Sequence, residues 1–201
     1  MKILKIKEKL NRGFTMIELL IVIAVLGILA VAVLATINPI EQINRGRDTG
    51  SRGDAEQLLS AIDRYNATQG LWPWQEDSDD ADAVAWGPVE DVEDPSNCPL
   101  LDKIAQGGGI AACGTGADEV KASFSTRLRA SNYNALYMEY SGDSGDSLYI
   151  CFSPQSGAFS TEAERRCDVE GVPADFPATA CGSCDALVGA LGDSENCICL
   201  P

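Results

Sequence analysis

The sequence predicts an α+β fold, in which a long N-terminal helix packs its second half on a small antiparallel sheet and a cysteine-rich region follows. Three features of the 201-residue chain lead to this prediction. Residues 19–37 form an uncharged apolar stretch, residues 54–69 repeat apolar side chains at helical spacing, and residues 133–153 alternate as strands do. A chain of 201 residues is long enough for one domain of moderate size.

The apolar stretch, residues 19–37, is predicted to be a transmembrane helix. Its nineteen residues contain no charge, and as a helix they extend about 28 Å, close to the hydrocarbon thickness of a bilayer. The residues that precede it are basic: Lys2, Lys5, Lys7, Lys9 and Arg12. The positive-inside rule then places the N-terminus in the cytoplasm and the rest outside. A plain signal anchor and a cleaved secretory signal, with small residues at 30–32 or 33–35, are the alternatives.

An ordered motif precedes this helix. It reads Gly13-Phe14-Thr15-Met16-Ile17-Glu18 and continues into the apolar run. A carboxylate at the depth of Glu18 costs about 2.5–3.5 kcal/mol in lipid, so it requires a partner. Over about the first thirty residues the chain resembles the prepilin cleavage and methylation motif of type IV pilins and type II secretion pseudopilins.

The resemblance implies a processing scheme and a set of partners. Prepilin peptidase would cleave between Gly13 and Phe14, remove the leader 1–13 and methylate Phe14. The chain would wait as a single-pass inner-membrane protein in contact with lipid, and an assembly platform in that membrane would extract it. It would then join copies of itself in an extracellular or periplasmic filament. Glu18 would direct assembly by pairing with a neighbour's terminal amine, and its alternative is to snorkel to the interface.

The N-terminal helix is predicted over residues 14–69. Its second part, after the membrane segment, has two interpretations. Either the helix continues with a kink at Pro39, or residues 44–53 form a loop and a new helix starts at the N-cap Asp54. Beyond Asp54 the apolar residues lie on one helical face, and Gly70 ends the helix. These apolar residues are Ala55, Leu58, Leu59, Ile62 and Tyr65.

The remaining residues, 70–201, are predicted to form a head outside the membrane. Residues 71–120 are rich in proline, glycine and acidic residues and are predicted to be irregular, with Trp72 and Trp74 plugging the end of the helix–sheet core. The carboxylates at positions 77, 79, 80 and 82 favour a solvated loop over a calcium site, since the glycine and late glutamate of an EF-hand are missing. Antiparallel strands are predicted at residues 133–140 and 147–153, with a third at Ala158–Phe159.

Eight cysteines lie beyond the membrane segment. They are Cys98, Cys113, Cys151, Cys167, Cys181, Cys184, Cys197 and Cys199. An even number in an exported region predicts up to four disulfides, of which the pairing stays open. The alternative is a four-thiolate zinc site from the last four cysteines, in the region 167–201. An oxidising compartment favours disulfides, and we expect neither a metal ion nor a cofactor.

The charge distribution restricts the function. The net charge is −15, and residues 14–201 hold ten basic against twenty-nine acidic residues. Such a head repels phosphate backbones, so no nucleic acid partner is predicted. The chain has no histidine, which excludes Ser-His-Asp and Cys-His nucleophiles. The resemblance to pilins and pseudopilins implies a structural filament subunit, and we predict no enzyme. Pilus, secretion pseudopilus and competence filament stay open, and a secreted disulfide-rich binding module is the alternative from another class.

Overall fold

The computed structural model describes residues 13–36, 38–107, 113–114, 116–143, 145–168, 172–184, 191–192 and 194–201. The chain divides into two compact units, residues 1–39 and residues 40–201. The basic part of the predicted leader, residues 1–12, lies outside the described residues.

Helix α1 spans Met16–Thr36 and is apolar on every side. None of its residues is buried, and it is long and apolar enough to cross a membrane. The twenty-one residues extend about 31 Å as a helix. The observed bounds agree closely with the predicted membrane segment.

Helix α2 spans Pro39–Gln69 without interruption, so the alternative of a loop at residues 44–53 is wrong. Proline at the first helical position costs nothing, because its missing N–H would have no partner there. Each of the three glycines at 46, 50 and 53 weakens the helix by about 1 kcal/mol. Contacts with the rest of the head offset this cost. The buried residues of α2 are Asp48, Ser51, Ala55, Leu58, Ala61, Ile62 and Tyr65.

Four strands form one antiparallel sheet in the order β1-β2-β3-β4. They are β1 (Val84–Pro88), β2 (Leu136–Tyr140), β3 (Tyr149–Phe152) and β4 (Ile198–Leu200). Side chains alternate between the two faces, as the pleat requires. Each face packs on a different part of the head.

The first face of the sheet packs on α2. Its side chains belong to a core with the apolar stripe of α2 and with helices α3 (Leu100–Lys103) and α4 (Ala122–Leu128). The strand residues in this core are Leu136, Met138, Ile150, Phe152 and Ile198. The predicted packing of the amphipathic helix on a sheet is confirmed.

The second face of the sheet carries a separate buried cluster. Tyr137, Tyr149, Cys151 and Cys199 pack there with Ala180, Cys184 and Cys197 from the C-terminal region. Trp86 of β1 packs on this face, whereas Val84 packs on the first. In a regular strand, residues two positions apart lie on the same face. The register of β1 is irregular between Val84 and Gly87, and this irregularity turns Val84 and Trp86 to opposite faces.

Two sequence predictions need correction. The segment 71–120 is not wholly irregular, since it contains β1, a 3-10 helix at Val89–Asp91 and α3. The third strand predicted at Ala158–Phe159 is wrong, because these residues lie in helix α5 (Gly157–Cys167). The Ser156 side chain caps this helix by accepting a hydrogen bond from the Phe159 N–H.

All eight cysteines are paired, which confirms four disulfides. The pairs are Cys98–Cys113, Cys151–Cys199, Cys167–Cys181 and Cys184–Cys197. The zinc alternative fails because each of its four sulfurs is in a disulfide. Cys151 and Cys199 are register partners on β3 and β4, so that bond crosses adjacent strands.

Candidate functional site

The predicted cleavage position lies just outside the first helix. Gly13, Phe14 and Thr15 are not helical, and α1 begins at Met16. Phe14 is 86% exposed, and among the described residues, apart from the chain neighbours of Gly13, no atom lies within 4 Å of the place where a side chain on Gly13 would begin. No other described residue covers the peptide bond between Gly13 and Phe14, so that part of the chain leaves the bond open to approach from solvent.

Thr15 and Glu18 close the start of α1 through reciprocal hydrogen bonds. The Thr15 backbone N–H donates to Glu18 Oε2 over 2.8 Å, and the Thr15 hydroxyl donates to the same oxygen over 2.7 Å. The Glu18 N–H donates to Thr15 Oγ1 over 3.2 Å. This arrangement is a capping box, which satisfies helix N–H groups that would otherwise have no partner.

The capping box gives Glu18 a partner that we did not predict from the sequence. We expected the partner of the carboxylate in a neighbouring chain or at the membrane interface. The signal was present, since a threonine followed three residues later by glutamate before an apolar run is a helix-start pattern. Thr15 is therefore part of the candidate site, together with Gly13, Phe14 and Glu18.

The surface of α1 is apolar and uncovered within the described residues. Its large hydrophobic side chains are between 47% and 91% exposed, and Glu18 is the only charged residue in the helix. An apolar surface of this extent is not stable in water and marks a membrane or protein interaction site. The helix therefore requires a cover of lipid or of other apolar protein surface.

Comparisons with known proteins agree with this geometry. Residues 9–34 match the family model for the prokaryotic N-terminal methylation motif. No curated protein matches the chain, and no solved structure does. The match defines the N-terminus as a prepilin-type signal, the kind processed by prepilin peptidase. More particularly, this signal is that of type IV pilins and pseudopilins, and it supports a protein of the pilin-like class.

A second polar cluster fastens α2 to the head. The Asp48 side chain is fully buried and accepts hydrogen bonds from the backbone N–H groups of Gln155 at 2.9 Å and Ser156 at 2.8 Å. The Ser156 hydroxyl donates to it over 2.6 Å. One carboxylate thus joins the N-terminal third of α2 to the start of α5, a link that no sequence pattern indicated.

The acidic segment 77–82 uses its carboxylates within its own turns. Asp80 Oδ2 accepts the N–H groups of Glu76 at 2.7 Å and Asp77 at 3.1 Å. These bonds hold the pKa of Asp80 below its usual range. Among the described residues, no group of three or more His, Cys, Asp or Glu side chains could hold a metal ion.

The two tryptophans predicted to plug the core lie together at one end of the sheet. Trp72 and Trp74 stack with ring centroids 5.1 Å apart, and Trp72 also lies 4.9 Å from the ring of Tyr140. Trp74 is buried in the first core, and Trp72 packs against it. Their role is to seal the core, as predicted from the sequence.

Proposed function

We propose that this chain is a structural subunit of a type IV pilus-like filament, assembled through α1. The observation that carries the proposal is an apolar helix with no buried residue, most of which lies within the matched methylation motif at residues 9–34. Such a helix requires lipid before assembly and other copies of itself afterwards. A repeated head-to-tail contact whose rotation does not close produces an open filament.

Processing is proposed to occur between Gly13 and Phe14, followed by methylation of Phe14. The exposure of this bond and its position outside the helix support access by the peptidase. A glycine lets the backbone approach a protease cleft closely. Removal of residues 1–13 would also remove the basic charges that hold the N-terminus in the cytoplasm.

Glu18 is proposed to select the axial offset between subunits. Cleavage converts the Phe14 amide into a cationic amine, and Glu18 of one subunit would pair with this amine on a neighbour. In an apolar surrounding, a charge pair acts strongly over a few ångströms and depends on register. The capping box supports this role because it holds the carboxylate at the start of the helix.

The cellular setting follows from the same proposal. The N-terminus would lie in the cytoplasm and the acidic head outside, with prepilin peptidase and an inner-membrane assembly platform as partners. The filament would be extracellular for a pilus or periplasmic for a secretion pseudopilus. A competence-type minor pilin is the third member of this class. The acidic head does not favour nucleic acid as a partner.

The first experiment tests processing. Co-expression with a prepilin peptidase should give a mature chain that begins with methylated Phe14, measured by mass spectrometry of the N-terminal peptide. The Gly13→Leu variant should stay uncut in the membrane, because a bulky residue blocks close approach to the cleft. The matched control Gly13→Ala should be cut, at least in part. A mature chain that starts near Val33 or Thr36 would instead identify a secreted module and refute the proposal.

The second experiment tests the role of Glu18. The Glu18→Val variant should insert and be processed, since it removes a costly charge from lipid. Filament yield, counted by electron microscopy, should fall strongly when this variant is the sole subunit. Leu19→Val, a change of similar size at the next position, should assemble normally. Abundant regular filaments built from Glu18→Val alone would rule out the pairing and leave snorkelling as the explanation.

A further inference from the structure

A groove of about 590 Å³ runs beside β1. One wall is β1 itself, and the other is the segment 91–97. Trp74 and Asp80 contribute to its lining. A five-residue strand such as β1 is about 17 Å long, which is enough for a short extended peptide to lie alongside it.

The strand that forms this wall is an edge of the sheet. Strand β1 is the terminal strand and pairs with β2 alone. Apart from that ladder, no backbone hydrogen bond outside the helices involves residues 84–87 within the described part of the chain. An unpaired edge presents N–H and C=O groups that a further strand can complete.

The opposite wall is held in place by internal bonds. Asp94 accepts the backbone N–H groups of Ser96 and Cys98, each over 3.0 Å, and forms an ion pair of 2.6 Å with Lys103. The disulfide from Cys98 to Cys113 anchors the same segment. The groove is therefore preformed, which lowers the entropic cost of binding an extended ligand.

The charge of the groove indicates the chemistry of its occupant. Asp91 and Glu93 line it, and neither carboxylate belongs to any of the ion pairs formed among the described residues. A basic segment would match these carboxylates.

A second copy of the chain is a poor source of that segment. Seven of the ten basic residues in 14–201 already form ion pairs within the chain: Arg45, Arg52, Arg64, Lys103, Arg127, Arg129 and Arg166. We propose that the outer edge of β1 binds an extended Lys- or Arg-bearing segment of a different protein as an added strand. This interaction goes beyond filament formation and would let the head recruit a basic partner.

The test uses the full-length chain in phosphatidylcholine nanodiscs and a fluorescein-labelled peptide of four Lys-Val repeats. Fluorescence anisotropy should show saturable binding, and the amides of residues 84–87 should exchange hydrogen more slowly with peptide present. Joint substitution Asp91→Asn and Glu93→Gln should weaken binding about tenfold, through loss of two charge pairs. The control pair Glu56→Gln and Asp63→Asn, with the same charge change on α2, should leave binding unchanged.

Further measurements decide between strand addition and other interactions. A peptide of equal charge with alternate backbone nitrogens methylated should bind at least tenfold more weakly, because it cannot complete the ladder. Equal binding of both peptides, or equal loss in both variant pairs, would show a diffuse charge effect and overturn the proposal. The proposal also fails if Ca²⁺ binds at Asp91 and Glu93 while the peptide does not. If the β1 amides are protected from hydrogen exchange at high concentration of this chain, whether or not peptide is present, the edge binds a second copy of the chain and the proposal fails.

Discussion

Helices α1 and α2 follow one another in the chain, but their apolar side chains differ in burial. None of the residues of α1 is buried, whereas α2 buries a stripe that includes Leu58 and Ile62 against the sheet. The more polar helix thus buries a stripe within its own unit, and the more apolar helix has no buried residue in the described part of the chain. Hydrophobicity therefore predicts the need for burial but does not say which molecule supplies it.

The sheet of the head, which packs on α2 with its first face, is also covered on its second face. The four disulfides and the cluster on the second face of the sheet belong to residues 40–201. Substitutions in the head should therefore change its own stability, and substitutions in α1 should change only membrane insertion or assembly. Four sets of variants test this division, beginning with the largest expected effect.

Loss of the Cys151–Cys199 disulfide should destabilise the head most. The double variant Cys151→Ser and Cys199→Ser should lower the free energy of unfolding by about 4 kcal/mol, because the bond closes a long loop in the unfolded chain. The sequence separation is 48 residues. Guanidinium denaturation of the purified chain in detergent measures the loss. Removal of Cys98–Cys113, with a separation of 15 residues, should cost about 3 kcal/mol, and a reversed order would contradict the loop argument.

Equivalent truncations in the two helices should have unequal effects. Leu58→Ala should cost about 3 kcal/mol of head stability, since the fully buried side chain leaves a cavity. Leu26→Ala on α1, where the side chain is 58% exposed, should leave the unfolding of the head unchanged. Both are measured by the same denaturation experiment. A comparable loss for the two variants would show that α1 stabilises the head and would remove the contrast.

The buried carboxylate of α2 should matter more than an exposed one on the same helix. Asp48→Asn should cost about 1–3 kcal/mol, because an amide cannot accept all three hydrogen bonds from Gln155 and Ser156. The control Asp63→Asn should not destabilise, because Asp63 is exposed and partial desolvation of its carboxylate raises its pKa and disfavours its charge. Thermal unfolding of both variants, followed by circular dichroism, tests this difference.

The smallest effect concerns the pH dependence of head stability. Burial raises the pKa of Glu139, so the folded state binds the proton of this carboxyl more tightly than the unfolded state does. Above the unfolded pKa of about 4.3, the charged form of Glu139 therefore lowers the stability of the fold. Glu139→Gln should therefore stabilise the head at pH 7 by about 0.5 kcal/mol. The difference should vanish as the pH falls below 4. Unfolding curves at pH 7 and pH 3.5 measure it, and an equal difference at both values would exclude titration as the cause.

The Asp80→Asn variant is a control for which we expect the opposite change in stability at pH 7. Backbone hydrogen bonds from Glu76 and Asp77 lower the pKa of Asp80, so its charged form supports the fold above the unfolded pKa. This support is lost as the pH falls through the lowered folded pKa. The variant should therefore be less stable than the parent at pH 7 and closer to it in acid.

Local patterns in the sequence were sufficient to predict several features of this chain. The Gly13–Glu18 motif, the span of α1 and the apolar stripe of α2 could be predicted because each signal lies within a few helical turns. The number of disulfides followed from an even count of cysteines in an exported region. The pattern for the Thr15 cap was also present, since its two partners are three residues apart.

Features that join distant parts of the chain became visible only in the folded molecule. Strands β1 and β4 flank the β2–β3 pair although they lie far away in sequence, and a short strand such as Ile198–Leu200 has too few residues to show a period. The disulfide partners depend on which cysteines the fold brings close, and the buried contact of Asp48 links residues more than one hundred positions apart. Local propensity carries no information about such contacts, because their free energy arises only once both segments are in place.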